Sequence, residues 1–233
     1  MRYEKENMLY INFINIEAID SETYQLFRSV VSENRRKKAD RFVFMEDAKR
    51  CICAELLLEY SLFQMFNQMI SINLCYNENG KPSLEHVEGF LYNISHSGKW
   101  VVIAYGDNEV GIDIERIPVK NTDIVDDFFS DEEKKYIHSG KNDEQIRRFI
   151  EIWTQKESYL KYLGTGLSKK LNSFSVNPVD HNISDENKKI DPLLKLKSYL
   201  FDLDYYLAIC TTEKEVSIYE VGLEDMLDFV KGL

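Results

Sequence analysis

Hydrophobic residues recur along the chain with two periods, and these periods predict strands and helices. A spacing of two residues predicts strands, and a spacing of three to four residues predicts helices. Strands are predicted over 8–14, 72–76, 91–94, 100–105, 110–114, 195–201, 205–211 and 215–219. Helices are predicted over 21–31, with Ser21 as the N-cap, over 47–67, and over 143–163, which Gly164 ends.

The predicted elements divide the chain into two halves of similar content. Each half has one long apolar helix and several strands, and the turn residues Gly106-Asp107-Asn108 lie between the halves. We therefore predict a pseudo-duplicated α+β fold with lobes 1–106 and 107–233, each a long helix packed on an antiparallel sheet. Ser130 and Glu133 form a predicted capping box, and the polar segment 177–192 is a predicted loop.

Composition excludes several classes of protein. The chain has 233 residues, 44% of them hydrophobic, which is enough for a substantial core. Its net charge of −11 argues against a nucleic-acid partner. The first 20 residues contain no long apolar stretch, so we expect a cytoplasmic protein without a membrane partner. Four cysteines and four histidines lack zinc-site spacing, so neither structural zinc nor disulfides are expected.

One basic segment stands out in this acidic protein. Residues 35–50 contain seven basic and three acidic side chains. A solvent-exposed helix face is the usual explanation of such a run, and an anion site is the alternative.

Two acidic residues lie on one face of a predicted strand. In Gly111-Ile112-Asp113-Ile114-Glu115, the period of two places Asp113 and Glu115 together. Taken alone, this pattern is more typical of a half-exposed strand than of a functional site.

A stripe on the long second helix adds a third carboxylate. Trp153, Glu157 and Lys161 follow one another at intervals of four residues. An ordinary Glu–Lys pair explains the stripe alone. Together with the strand, however, Glu157 completes a set of three carboxylates that suits Mg²⁺, or Mn²⁺, and that would bind a diphosphate with the metal. Lys161, Arg50 and His96 are candidates for the additional positive charge.

Two further segments could hold a phosphate. Residues 93–98 (NISHSG) offer hydroxyls, an imidazole and backbone N–H groups in a predicted loop, although a plain surface hairpin is the more usual explanation of this segment alone. Residues 79–82 (NGKP) are a turn that needs no ligand to explain its glycine and proline.

The order and spacing of these motifs resemble the 4'-phosphopantetheinyl transferase family. The resemblance is closest to its larger two-lobed type, which activates nonribosomal peptide synthetases such as surfactin synthetase. The segments that carry it are 46–50 (EDAKR), 80–82 (GKP), 93–98 (NISHSG), 111–115 (GIDIE), 128–130 (FFS) with Glu133, 153–161 (WTQKESYLK) and 164–168 (GTGLS).

The resemblance implies a role for each candidate residue, with coenzyme A bound in the cleft between the lobes. Asp113, Glu115 and Glu157 would be the magnesium ligands. The residues that would bind coenzyme A are Arg35, Lys38, Arg50, Gly80, Lys81, Pro82, Ser95, His96 and Lys161. Of these, Lys161 would contact the diphosphate, and Gly80, Lys81 and Pro82 would lie by the adenine.

The resemblance also implies the reaction, in which the phosphopantetheine arm moves to a serine of an apo acyl or peptidyl carrier protein and 3',5'-ADP leaves. Glu157, Glu133 or a hydroxide on the metal could take the serine proton, and Glu157 is favoured. Lys161 would assist. Since one chain already contains both lobes, a monomer is expected. The alternatives are a magnesium-dependent nucleotide phosphohydrolase and a non-catalytic module that binds coenzyme A or a carrier protein.

Overall fold

A computed structural model of the chain describes residues 8–118, 128–185 and 190–233. The helices are α1 (Ser21–Val30), α2 (Glu33–Ala39), α3 (Met45–Phe66), α4 (Asp131–Ser139), α5 (Asp143–Leu163) and α6 (Leu223–Lys231). The strands are β1 (Met8–Asn15), β2 (Leu74–Tyr76), β3 (Pro82–Leu84), β4 (Leu91–Ser97), β5 (Trp100–Gly106), β6 (Val110–Arg116), β7 (Phe174–Val176), β8 (Ile183–Asp185), β9 (Lys195–Phe201), β10 (Tyr205–Thr211) and β11 (Glu215–Glu220).

The first lobe is a four-stranded sheet covered on one face by α3. Its strand order is β11-β1-β5-β4. The pairs β1–β5 and β5–β4 are antiparallel, as predicted, whereas β11 joins β1 in parallel. Ile52 and Leu56 of α3 and Ile103 of β5 are completely buried between helix and sheet.

The second lobe is an antiparallel three-stranded sheet of order β6-β10-β9, covered by α5. The two sheets also pack on each other: Ile11 and Val102 of the first lobe share a buried cluster with Ile112, Ile114 and Leu207 of the second. Burial of this shared apolar surface joins the lobes. The fold is thus the predicted two-lobed α+β arrangement, with the sheets inside and a long helix outside each sheet.

The C-terminal segment returns to the first lobe. Strand β11 completes the first sheet, and Val221, Met226 and Val230 are buried in the core around α3. Residues 215–233 therefore pack with the lobe predicted for residues 1–106, and the boundary after residue 106 itself stays a prediction.

Several local predictions are confirmed and a few are corrected. Ser130 and Glu133 form the capping box of α4, and Gly164 ends α5 with φ +66°. Asp20, not Ser21, caps α1, because its carboxylate accepts a hydrogen bond from the backbone of Thr23. The predicted loop 177–192 includes strand β8, and its residues 186–189 lie outside the described part of the chain.

Among the described residues, no helix is both long enough and apolar enough to span a membrane.

Candidate active site at the junction of the lobes

Strands β4 and β6 meet through side chains at the junction of the two lobes. The side-chain oxygens of three alternate β4 residues accept hydrogen bonds from backbone N–H groups of three alternate β6 residues. These pairs are Asn93 with Ile112 (3.0 Å), Ser95 with Ile114 (3.3 Å) and Ser97 with Arg116 (3.0 Å). Residues 95–97 therefore belong to a strand and not to the predicted loop, and only Gly98-Lys99 forms the turn.

Ser95, Asp113 and Lys161 form a hydrogen-bonded triangle at this junction. The Ser95 hydroxyl donates to Asp113 Oδ1 (2.8 Å), and Lys161 Nζ donates to both Asp113 Oδ1 (2.6 Å) and Ser95 Oγ (2.8 Å). Asp113 is only 3% exposed, yet its second oxygen, Oδ2, is buried and has no hydrogen-bond partner among the described residues. A buried carboxylate oxygen without a partner is costly, and it suits a cation or donor from a ligand.

The other two predicted metal ligands lie in the electrostatic field of Asp113. Ser97 Oγ donates to Glu115 Oε2 (2.9 Å). Burial and then the charge of Asp113 raise the pKa of Glu115 to about 7. Burial, followed by the charge of Asp113, also raises the pKa of Glu157. The three carboxylates therefore concentrate negative charge that the protein only partly neutralises.

Gly111 brings α5 close enough to β6 to build this site. A Cβ atom at this position would overlap the carbonyl oxygen of Ser158 and the backbone nitrogen of Tyr162. Only glycine allows this approach, which places Lys161 against Asp113. The sequence motifs alone predict no role for Gly111, but a glycine inside a predicted strand is a signal of such a close approach.

A cleft of about 250 Å³ opens beside Lys161. Its lining includes Gly80, Lys81, Pro82 and Lys161, which the sequence analysis placed on coenzyme A. The turn is held to the end of α5, because Lys81 Nζ donates to the Tyr162 carbonyl (3.2 Å) and also pairs with Glu109.

A group of cations lies on another side of the junction. Desolvation of the imidazole, and then the positive charges of Arg50, Lys161 and Lys38, lower the pKa of His96. The guanidinium of Arg50 is held by Asp47 and by the backbone carbonyl of Gly98. These cations repel one another and favour an anion between them.

Arg35, which is predicted to bind coenzyme A, forms an ion pair with a carboxylate of α3. Its Nε donates to Glu55 Oε2 (2.9 Å), and Glu55 also accepts a hydrogen bond from the Ser32 backbone. Glu55 is 6% exposed, so this pair anchors α2 on α3. Any role of Arg35 in binding an anion stays a prediction.

Glu133, one of the candidate bases, is buried in a fully hydrogen-bonded pair. Its side chain is completely buried and accepts hydrogen bonds from Lys156 Nζ at both oxygens (2.8 Å each). The backbone N–H groups of Ser130 and Val176 occupy the same two oxygens. Filled acceptors and complete burial argue against Glu133 as the base, and its role in catalysis stays a prediction.

The three carboxylates are chemically suited to a metal ion, but they are not gathered into a preformed cluster. No group of three metal-ligating side chains is assembled in 8–118, 128–185 and 190–233. Lys161 provides the positive charge on Asp113 Oδ1, whereas Asp113 Oδ2 lacks a partner among the residues that the structure describes. The unpartnered oxygen, the raised pKa values and the all-oxygen donor set fit Mg²⁺ or Mn²⁺.

Carboxylates and cations that face one junction beside a cleft are typical of enzymes that act on phosphate esters. Comparison with known proteins gives a more specific answer. A profile of the 4'-phosphopantetheinyl transferase superfamily matches residues 109–210, and a 4'-phosphopantetheinyl transferase N-terminal profile matches residues 19–108.

Individual relatives agree with these profiles. The chain is 32% identical to 4'-phosphopantetheinyl transferase Sfp of Bacillus subtilis (strain 168), over 90% of this chain and 95% of the relative. It is 34% identical to 4'-phosphopantetheinyl transferase gsp of Aneurinibacillus migulanus, over 90% and 87%. It is 30% identical to the mouse L-aminoadipate-semialdehyde dehydrogenase-phosphopantetheinyl transferase, over 70% and 58%.

The chain therefore belongs to the 4'-phosphopantetheinyl transferase superfamily, which confirms the resemblance seen in the sequence motifs.

Proposed function

We propose that this protein transfers the 4'-phosphopantetheine arm of coenzyme A to a serine of an apo carrier protein and releases 3',5'-ADP. The observation that carries the proposal is the Asp113–Lys161–Ser95 triangle with its unpartnered buried oxygen. It lies beside the cleft that Gly80, Lys81 and Pro82 help to line, in a chain that belongs to this family of transferases.

Asp113, Glu115 and Glu157 are the proposed ligands of Mg²⁺, with Mn²⁺ as a substitute. When bound, the ion supplies positive charge that offsets the charge of the diphosphate and of the departing nucleotide. The unpartnered Asp113 oxygen and the raised pKa values of Glu115 and Glu157 support this assignment.

The remaining residues would bind the substrate and accept its proton. The carrier serine oxygen would form a bond to the β-phosphorus, and the bond from that phosphorus to the oxygen of 3',5'-ADP would break. Glu157 would accept the serine proton, directly or through a water molecule. Lys161, Arg50 and His96 would hold the phosphates, with Lys38 and Arg35 further out.

The carrier partners, the cellular location and the oligomeric state are proposed from the family motifs. We expect apo acyl or peptidyl carrier domains as partners, including those of nonribosomal peptide synthetases. A cytoplasmic monomer is also expected. The phosphohydrolase and binding-module alternatives gain no support, because the relatives described above are all named as transferases.

Intact-protein mass spectrometry tests the proposed reaction directly. Incubation with coenzyme A, Mg²⁺ and an apo peptidyl carrier domain should increase the carrier mass by one phosphopantetheine. Release of 3',5'-ADP without a carrier would favour the phosphohydrolase, and binding of coenzyme A without any product would favour the binding module.

Glu157→Gln should abolish this transfer without unfolding the protein. Glu151→Gln is the matched control, because Glu151 lies on the same helix but accepts its hydrogen bond from Tyr136 (3.1 Å), away from the triangle. Wild-type turnover by Glu157→Gln would overturn the role of Glu157, and loss of activity in the control would show that α5 is merely sensitive to substitution.

A further inference from the structure

Two turns from different lobes contact each other at one end of the junction. Asp202, in the turn between β9 and β10, pairs with Lys99 Nζ (2.7 Å) and accepts a hydrogen bond from Trp100 Nε1 (2.9 Å). Both partners belong to the segment that turns from β4 into β5. The backbone N–H of Lys99 also donates to the hydroxyl of Tyr205 (3.2 Å). The two turns are thus joined by three hydrogen bonds.

Close packing at Gly98 adds to this contact. Gly98 has φ +53°, and a Cβ atom there would overlap the hydroxyl of Tyr205. A larger residue would be both strained at this φ and too close to the tyrosine. The position of the Gly98-Lys99 turn is therefore set by the second lobe as well as by its own strands.

The same turn contacts Arg50, one of the cations at the candidate active site. The Gly98 carbonyl accepts a hydrogen bond from the Arg50 guanidinium, and Asp47 holds another nitrogen of that group. A guanidinium binds a phosphate well only when its planar face of donors points at it, so its orientation matters more than its charge alone.

We propose that Asp202 and Tyr205 are positioning residues that orient Arg50 through the Gly98-Lys99 turn, so that Arg50 can bind a phosphate of coenzyme A. This inference rests on the proposed function. It assigns a role in ligand binding to residues of the second lobe that do not themselves touch the cleft.

The backbone of the turn that contains Asp202 has an unusual conformation, which supports the positioning role of Asp202. Asp202 and Leu203 have φ +47° and φ +61°, a region that is unfavourable for residues other than glycine and most of all for bulky ones such as leucine. The hydrogen bonds from Lys99 and then from Trp100 lower the pKa of Asp202, so it is ionised when it pairs with Lys99. Both turns are held by contacts with each other.

A double-mutant cycle on coenzyme A binding tests the inference. Calorimetry would give the Kd of coenzyme A for the wild type, Asp202→Asn, Arg50→Gln and the double variant. Asparagine tolerates positive φ, so Asp202→Asn removes the charge while preserving the turn. We expect Asp202→Asn to weaken binding about fivefold, the order expected for loss of a partly exposed ion pair.

The decisive result is the double variant. If Asp202 acts through Arg50, Asp202→Asn should add nothing to the effect of Arg50→Gln. In turnover assays, Asp202→Asn should raise the KM for coenzyme A and leave kcat close to the wild-type value. Additive effects on Kd, or a change in kcat alone, would overturn the inference.

Two further variants keep the test independent of folding. Leu203→Asn alters the same turn without touching the first lobe, and its coenzyme A affinity should equal that of the wild type. Tyr205→Phe removes only the hydroxyl that contacts Lys99. It should weaken coenzyme A binding as Asp202→Asn does, and it replaces Asp202→Asn in the test if Asp202→Asn does not fold. Wild-type affinity in Tyr205→Phe would overturn the role of Tyr205. Failure of the wild-type protein to bind coenzyme A would instead overturn the proposed function itself.

Discussion

Two lysines of α5, only five residues apart, pair with carboxylates in different ways. Lys156 and Glu133 are both completely buried. Lys156 also donates to the Phe174 carbonyl (2.7 Å), and the oxygens of Glu133 accept four hydrogen bonds in all. Each group of this pair is thus fully satisfied.

The pair of Lys161 and Asp113 is incomplete by comparison. The Lys161 side chain is 28% exposed, and one buried oxygen of Asp113 has no partner within the described part of the chain. The neighbouring carboxylates Glu115 and Glu157 have raised pKa values, because burial and then the charge of Asp113 disfavour their ionised forms. The comparison suggests that the satisfied pair maintains the fold and that the incomplete pair is prepared for a ligand.

The largest effect on stability is expected at the satisfied pair. Glu133→Gln would leave the Lys156 ammonium buried without a negative partner, so the free energy of unfolding should fall by about 3–5 kcal/mol. Urea denaturation followed by circular dichroism would measure this loss. Replacing both residues, as Glu133→Leu with Lys156→Met, should recover part of the stability, because no charge is then buried. A stable Glu133→Gln variant would show that this pair does not maintain the fold.

Asp113→Asn should lower activity strongly and stability only slightly, which is the opposite of the result expected for Glu133→Gln. We expect phosphopantetheine transfer to fall at least about 100-fold, the loss typical when one group that stabilises the transition state is removed. Stability should change by less than about 1 kcal/mol, because the asparagine can still accept the hydrogen bond from Ser95. Initial rates of carrier modification and urea denaturation would measure the two quantities. Unfolding of this variant, or a normal rate of transfer, would show that the pair of Lys161 and Asp113 does not differ from the buried pair in the way proposed.

Much of the fold could be predicted from the sequence, because local patterns determine it. The period of two correctly placed Asp113 and Glu115 on one face, and the periodicity of residues 143–163 gave α5 with its glycine end. The return of β11 to the first lobe depends on pairing between residues some 200 positions apart, as in Ile11 with Ile218, and no local pattern carries that information.

The site was only partly predictable for the same reason. Motif spacing brought together Ser95, Asp113 and Lys161, which the structure joins by hydrogen bonds. A sequence motif does not reveal burial, however, and so the buried pair of Glu133 with Lys156 could not be predicted. The link from Arg50 through Gly98 to Tyr205 also needed three-dimensional contacts.

Gly111→Ala tests whether the incomplete pair depends on the close approach of α5 to β6. The added methyl group would overlap the Ser158 carbonyl, so the helix must shift away from the strand. Such overpacking costs about 1–3 kcal/mol, and transfer activity should fall as Lys161 moves from Asp113. Thermal unfolding and initial rates would measure both effects. Gly232→Ala, at negative φ near the C-terminus, is the control and should leave activity unchanged.

Glu115→Gln offers the smallest and most specific test, through its dependence on pH. Because the pKa of Glu115 is raised to about 7 in the folded protein, from an ordinary 4.5, the folded state binds this proton more tightly than the unfolded state does. The wild type should therefore lose stability as pH rises from about 4.5 through 7, whereas the glutamine variant should not lose this contribution. We expect the metal-free variant to be more stable by up to about 3 kcal/mol at pH 8, and the difference to be below about 0.5 kcal/mol at pH 4.5. Mg²⁺ should reduce the difference at pH 8 by stabilising the wild type more. Calorimetric unfolding at both pH values would measure this, and equal stability at pH 8 would show that the carboxylates at the junction are already balanced without a ligand.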